Sequence, residues 1–282
     1  SSSSSSSSRQ HTWTDKDFSI TSEQQGELDA MATKARQQWE DIMSMCRIFS
    51  NQYVDADFLP GKQTLKGQAV AWRRAGELNK ERDTSPWAVF KGTPQAEHIQ
   101  QGNLGDCWFL SALSVLATRP HLLLSTVVTH EYNDVGVYQA RFCKDGQWQV
   151  VTVDDCFPVT SWGSLAYARG SHNQLWVPIV EKAYAKLYGS YSAIESGTCR
   201  EALSDLTGAP CEDIDFNKEG LDLDMVWAQL LSSKQSGFLL GASCGSDRAD
   251  SQAFERVGLQ ASHAYAVLDV AMEGRSRLIK FK

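Results

Sequence analysis

The sequence predicts an α+β fold of two lobes, a helical lobe followed by a β-rich lobe. Helical apolar spacing dominates the first part of the chain, in residues 22–49, 107–118, 175–188 and 199–206. Strand-like runs appear in the last part, beside one helical run at 223–231, in residues 237–242, 263–270 and 277–281. Between these parts lies Thr-Gly-Ala-Pro at 207–210, whose turn formers indicate a boundary.

We therefore expect three regions. Residues 1–21 open with eight serines and predict a low-complexity, disordered tail. Residues 22–209 form the predicted helical lobe, and residues 210–282 form the N-terminal part of the β-rich lobe. This second region is short for an independent core and stops inside a strand-like run, so we expect a truncated lobe.

The elements of the helical lobe each have a local cause. Residues 50–105 are irregular, with many turn formers and isolated aromatic residues. Residues 107–118 are apolar on nearly every side, which is typical of a helix in the centre of a lobe, and Pro120 is expected to end it. Two strand-like runs, 135–142 and 147–153, flank the turn formers at 144–146 and predict a hairpin.

Composition excludes two classes of function. Hydrophobic residues make up 42% and charged residues 22% of the chain, as in soluble globular proteins. The net charge is −7, with no basic stripe, so a nucleic-acid partner is not predicted. No apolar run approaches the length of a membrane span.

Seven scattered cysteines are the next feature. None forms a Cys-x-x-Cys pair, which disfavours a structural zinc site. Without a secretory signal, the set predicts reduced thiols and a cytoplasmic location.

Residues 101–108 (QGNLGDCW) contain the strongest chemical signal. Cys107 opens a helix, whose N-terminal dipole would stabilise a thiolate. The backbone N–H of Cys107 could donate to an oxyanion, and the side-chain amide of Gln101 could be the second donor. Most free cysteines are small buried hydrophobes, but the glycines, the Gln and the buried helix favour a nucleophile here.

A thiolate nucleophile in acyl transfer needs a base, usually histidine. Of the six histidines, His263 opens an apolar strand of the second lobe and could project into a cleft that faces Cys107. The alternative, a structural histidine at a strand end, stays open on this pattern alone.

With these residues the sequence resembles the calpain family of cysteine proteases, over roughly residues 50–282. The matching segments are 101–108 (QGNLGDCW), 151–155 (VTVDD), 181–191 (EKAYAKLYGSY), 206–208 (LTG) and 258–265 (GLQASHAY). Three longer matches resemble its small-optic-lobes-type subgroup, at 206–212 (LTGAPCE), 241–245 (GASCG) and 263–270 (HAYAVLDV).

The resemblance implies a papain-like two-lobe fold and limited proteolysis of intracellular proteins through a thioester. It implies that Cys107 is the nucleophile, His263 the general acid/base and Gln101 an oxyanion donor. The family orients the His with an Asn one strand later, which would lie beyond Lys282. We therefore expect this chain to be weakly active or inactive.

The resemblance also concerns calcium. Calcium-dependent members hold an ion in the helical lobe with an Asp and a Glu, and the matching positions here are His98 and Gln174. Neither supplies the anionic oxygens that calcium prefers. We expect that this site is missing, that calcium dependence is reduced, and that no other cofactor is required.

Two alternative functions are a non-catalytic calpain-like interaction module and another Cys/His acyl-transfer enzyme of transglutaminase type; the extended calpain matches disfavour the second. The sequence assigns protein substrates but no oligomeric state. The adjacent Asp154 and Asp155 could suggest a metal or acid pair, but neighbours on a strand point to opposite faces, which favours a turn or a contact between lobes.

Overall fold

A computed structural model of the chain describes residues 22–61, 69–78, 84–245 and 251–282. These ranges contain both helices and strands, and all strands pair in antiparallel sheets, which is consistent with the predicted α+β class. The expected tail at 1–21 lies outside the described residues. Within them, no helix combines the length and the apolar composition needed to cross a bilayer.

The described residues contain seven α-helices. They are α1 (Ser22–Ile48), α2 (Cys107–Ala117), α3 (Pro120–Thr126), α4 (Trp176–Leu187), α5 (Cys199–Thr207), α6 (Leu223–Gln235) and α7 (Ser251–Arg256). The helical periodicity of the sequence predicted α1, α2, α4, α5 and α6. Pro120 does not simply end α2, as we expected; it begins α3, because a first helical position needs no N–H.

Nine strands lie between these helices. They are β1 (Ala71–Arg74), β2 (Ile99–Gln100), β3 (Val137–Lys144), β4 (Gln147–Asp154), β5 (Cys156–Val159), β6 (Arg169–Gly170), β7 (Leu240–Ser243), β8 (Ala264–Glu273) and β9 (Ser276–Phe281). The first six pair as three two-stranded sheets, β1–β5, β2–β6 and β3–β4. The last three form one antiparallel sheet in the order β7-β8-β9. The predicted helical lobe thus contains more strand than its sequence pattern indicated.

The β3–β4 hairpin confirms its sequence prediction. Its turn places Asp145 at φ 52° and Gly146 at φ 75°. Both central residues of a tight hairpin turn need positive φ, which glycine and aspartate tolerate. The register pairs Lys144 with Gln147, so the two strands close immediately around this turn.

Helix α2 lies in the centre of the core. Every residue of α2 after Cys107 is buried, as the apolar pattern on all its sides predicted. Helix α4 packs in the same core, where the Phe109 and Tyr184 rings stack with centroids 4.0 Å apart. The main core also includes Ala264 at the start of β8, so α2 is packed against elements from both predicted lobes.

Helix α4 contains charged residues although it is buried. Lys182 is fully buried, and its Nζ lies 2.5 Å from Oδ1 of Asp154 and donates to the carbonyl of Cys156 at 2.6 Å. A buried charge is tolerated only when it is paired and hydrogen-bonded. The Lys182–Asp154 pair therefore connects α4 to the end of β4.

The neighbouring carboxylate of Asp155 has a different cation. Nη1 of Arg74 in β1 lies 2.7 Å from Oδ1 of Asp155. The two carboxylates therefore diverge, as the strand pattern predicted. Neither cation comes from residues 210–282, and Asp155 lies in the bend between β4 and β5. Of the two expected roles, a turn or a contact between lobes, the structure shows the turn, and each carboxylate is half of a separate buried ion pair.

Candidate active site

The loop that leads to Cys107 lies against the backbone at Ala166 and Tyr167. The N–H of Asn103 donates to the carbonyl of Ala166 at 2.8 Å. At Gly102 a Cβ atom would lie only 2.2 Å from the carbonyl oxygen of Tyr167. Glycine is required here because the two backbones approach too closely for any side chain.

Cys107 is the first residue of α2 and is partly buried. Its neighbour Trp108 is buried and donates through Nε1 to the carbonyl of Ile194 at 3.0 Å, which fixes the first turn. The first N–H groups of a helix have no acceptor within the helix. The start of α2 therefore offers Cys107 the dipole and the backbone donor that thiolate chemistry uses.

Burial makes five of the other six cysteine thiols harder to ionise. Burial raises the pKa of the Cys156 thiol to about 11 and that of the Cys199 thiol to about 12. Burial also raises the pKa of Cys143, Cys211 and Cys244. Because the thiolate is the reactive form, these five thiols are mostly protonated near neutral pH.

Gln101 is exposed on the same loop, six residues before Cys107. Its Nε2 donates to the carbonyl of Leu104 at 3.0 Å. The side-chain amide thus lies along the loop that precedes the nucleophile. Its role as an oxyanion donor stays a prediction.

His263 is placed at the start of β8. Its carbonyl accepts from the N–H of Cys244 at 2.9 Å, which extends the β7–β8 pairing to this residue. Ser111 lies one helical turn after Cys107, on the same face of α2. Its hydroxyl donates to the carbonyl of Ala264 at 2.9 Å. This bond joins the first turns of the Cys107 helix to the residue after His263.

The imidazole of His263 is partly exposed and packs edge-on against Tyr265, with ring centroids 4.9 Å apart. Burial lowers its pKa, which favours the neutral ring that a general base requires. Within the described residues the ring forms no hydrogen bond, to Cys107 or to any other side chain. The structure therefore brings the helix and the strand together without closing the Cys–His contact.

We predict that Ser111→Ala weakens the connection between α2 and β8. The change removes a buried hydroxyl and leaves the Ala264 carbonyl without this donor, so the free energy of unfolding should fall by about 1–2 kcal/mol. Urea unfolding measures this loss. The control is Ser125→Ala, since the Ser125 hydroxyl is exposed and bonds within its own helix to His121; there the change should stay within about 0.5 kcal/mol. Equal losses in both variants would contradict the prediction.

His98 and Gln174 occupy the two positions at which the resemblance places calcium ligands. The Gln174 side chain is fully buried and uses both ends internally: Oε1 accepts from the N–H of Lys91 at 3.0 Å, and Nε2 donates to Ser171 at 3.1 Å. Nδ1 of His98 accepts from the N–H of Gln95 at 3.2 Å. Neither residue supplies a carboxylate, so the two do not fit a calcium site.

Two residues near the site were missed by the sequence analysis. The Asp106 carboxyl, immediately before Cys107, is fully buried beside the carboxyl of Glu181 in α4, and burial raises the pKa of Asp106 to about 7. The signal that could have revealed Glu181 is a carboxylate directly after the apolar run that opens α4. Its partner, far away in the sequence, could not be identified from local pattern.

The chain is similar to known proteases over most of its length. The family profile described as calpain family cysteine protease matches residues 53–282. The calpain-type cysteine protease DEK1 of Zea mays is 42% identical over 230 residues, which cover 79% of this chain and 10% of that protein. Calpain clp-1 of Caenorhabditis elegans is 32% identical over 244 residues, 83% of this chain and 30% of that protein. The calpain-1 catalytic subunit of Rattus norvegicus is 32% identical over 249 residues, 83% of this chain and 34% of that protein.

Proposed function

Because the chain belongs to the calpain family of cysteine proteases, we propose that it is an endopeptidase core in which Cys107 is the nucleophile and His263 the general acid/base. Its fold is the α+β, papain-like fold of that protease core. The supporting observation is the Ser111–Ala264 hydrogen bond, which joins the helix that begins at Cys107 to the strand that follows His263.

The proposed reaction proceeds in two acyl-transfer steps. The Cys107 thiolate attacks the carbonyl carbon of a peptide bond, and the backbone N–H of Cys107 with the Gln101 amide stabilises the oxyanion. Protonated His263 gives its proton to the leaving amine, which leaves a thioester on Cys107. Neutral His263 then takes a proton from water, the resulting hydroxide attacks the thioester, and the thiolate is restored.

The environment of His263 limits the expected rate. In Cys–His sites a third group usually fixes the tautomer and the orientation of the imidazole. Within the described residues no side chain bonds the His263 ring. We therefore expect weak turnover from this chain, so reaction of Cys107 with a covalent probe is a better measure of the site than peptide hydrolysis.

Substrates and location are proposals as well. The chain spans about a tenth of the length of the plant relatives it matches. By family resemblance we infer limited cleavage of intracellular proteins. All seven cysteines are free, which supports a reducing, cytoplasmic compartment.

We also propose that the helical lobe holds no calcium ion between His98 and Gln174. The Gln174 amide is already bonded at both ends, as described above. The Lys282 ammonium, from the end of β9, donates to the carbonyl of Ile99 at 2.7 Å and to the carbonyl of Ala96. A positive charge already lies beside His98, and it would repel a divalent cation.

The test is labelling by a peptide-like epoxide that reacts with thiol proteases, with a chelator or with millimolar calcium. We expect Cys107 to be labelled at least about tenfold faster than the other six cysteines, since a thiolate at a helix start is the more reactive form. Cys107→Ala should abolish this fast label, and His263→Ala should slow it. Slow labelling of Cys107 at a rate that His263→Ala does not change would favour the alternative, a non-catalytic interaction module. Labelling only with calcium would contradict the calcium proposal.

A further inference from the structure

The buried carboxyl of Asp106 is not explained by helix capping. Asp106 is the N-cap residue of α2, but its side chain makes no capping hydrogen bond. Its backbone carbonyl accepts from Phe109 at 2.9 Å and Leu110 at 3.0 Å, so the backbone alone starts the helix. Within the described residues, neither carboxyl oxygen accepts a hydrogen bond from the N–H or hydroxyl of another residue. A buried carboxyl in this position needs another partner.

That partner is the Glu181 carboxyl, which is also buried. Two carboxylates side by side in the interior repel each other strongly, whereas one proton between them forms a hydrogen bond. Burial raises the pKa of Asp106 to about 7, and burial together with the charge of Asp106 raises the pKa of Glu181 well above its ordinary value. Near neutral pH the pair therefore retains a proton.

Glu181 also bonds the segment that supports residues 101–106, the loop before Cys107, which is called the nucleophile loop below. Its Oε1 accepts from the N–H of Ala168 at 2.9 Å. Ala168 follows the two residues against which the loop packs, Tyr167 at Gly102 and Ala166 at Asn103. The pair thus contacts the loop at two places. Asp106 is the last residue of the loop, and Glu181 bonds Ala168 in the segment against which the start of the loop packs.

Other titratable groups around the pair contribute little change near neutral pH. The Tyr191 hydroxyl is buried near both carboxyls, and the pKa of Tyr191 lies well above its ordinary value because of burial and the nearby Glu181. Tyr167 and Asp154 are also close enough to affect Tyr191, and Asp154 is neutralised by Lys182. On the α2 side the neighbouring ionisable group is the Cys107 thiol.

We propose that Asp106 and Glu181 are positioning residues that share one proton, which fixes the loop before Cys107 and limits the charge behind the thiol to one negative unit. The inference rests on the proposed role of Cys107 as nucleophile. Two ionised carboxylates would disfavour the thiolate and push the loop apart. One shared proton prevents both effects.

The test compares the pH midpoint of Cys107 alkylation by iodoacetamide, followed by mass spectrometry of the Cys107 peptide. The variants are Asp106→Asn, Glu181→Gln and the double variant. Each single variant can carry at most one negative charge in the pair, and the double variant carries none. If the natural pair shares one proton, its midpoint should equal those of the single variants. The double variant should lie about one pH unit lower, since one buried charge nearby has been removed.

The other outcomes overturn the proposal. A natural midpoint about one unit above the single variants would mean two ionised carboxylates, and a natural midpoint equal to that of the double variant would mean two protonated ones. Equal midpoints in all four chains would mean that the pair has no influence on the thiol. The matched control is Asp205→Asn, a buried carboxyl that accepts from Tyr184 and Tyr188 and should leave the midpoint unchanged.

The positioning effect has its own measurement. Reaction with the peptide-like epoxide should fall at least about tenfold in Asp106→Ala and stay within about threefold in Asp106→Asn, because only the amide can bond Glu181. Equal rates in both would overturn the positioning role. If Asp106→Ala does not fold, the alkylation midpoints of Asp106→Asn, Glu181→Gln and the double variant still test whether the pair shares a proton. Failure of the proposed function is a separate result, namely an epoxide rate that His263→Ala does not change.

Discussion

Replacing Gly102 by alanine is expected to slow the reaction of Cys107 with a peptide-like epoxide by at least about 100-fold, because the loop can no longer close. The added Cβ would lie 2.2 Å from the carbonyl oxygen of Tyr167 and 2.5 Å from that of Ala166. Both obstacles are backbone atoms, so no rotamer change relieves the clash. The loop must move away and displace Gln101 and Cys107. The rate of labelling at Cys107 and urea unfolding measure the two consequences.

A matched control for this change is Gly26→Ala. A Cβ at Gly26 meets no atom within 4 Å, on an exposed turn of α1. The substitution should leave labelling unchanged and stabilise the helix by up to about 1 kcal/mol. If Gly102→Ala labels at the natural rate, the close approach of the two backbones does not control the nucleophile loop.

Lys182→Met is expected to destabilise the fold by about 3–5 kcal/mol. Methionine fills most of the same volume but cannot donate to Asp154. Among the described residues, the Asp154 carboxylate would keep the backbone donors of Cys156 at 2.9 Å and Asp55 at 2.9 Å. The loss exceeds that of one hydrogen bond, because the Lys182 charge no longer offsets the cost of removing the Asp154 carboxylate from water. The free energy of unfolding in urea measures the loss.

The control for Lys182 is the exposed pair of Lys234 and Asp269. These side chains also lie 2.5 Å apart, but each is nearly half exposed. Lys234→Met should cost less than about 1 kcal/mol, because water screens and replaces the interaction. A second variant, Asp154→Asn with Lys182→Met, should recover part of the loss by removing the unpaired charge. Similar losses at Lys182 and Lys234 would show that burial does not decide the strength of these pairs.

Local pattern predicted the elements whose cause is local. The apolar run after Cys107 predicts a helix that is buried on all sides, and α2 is such a helix. The turn at Asp145 and Gly146 was likewise predictable, since few residues accept positive φ. Pro120 was expected to end α2 but begins α3, because proline can both end one helix and begin another. The apolar pattern that follows it is too short to decide between these roles.

Nonlocal partners could not be predicted in this way. The opposite directions of Asp154 and Asp155 follow from strand geometry, but their cations lie 28 and 81 residues away in the sequence. The hydrogen bond from Ser111 to Ala264 spans 153 residues. Such contacts depend on packing, so a serine inside an apolar helix gave no sign that it would join that helix to the strand after His263.

The bond between Cys244 and His263 has a consequence for how the chain could be lengthened. The segment between Cys244 and His263 begins and ends at the same hydrogen bond. Its length therefore does not set the position of the His263 imidazole. Extra residues in such a closed segment cost only a slowly growing loop entropy. Gly258, exposed and with open space around it, therefore marks a point where a peptide graft or a reporter would leave the strand register, and with it the histidine, in place.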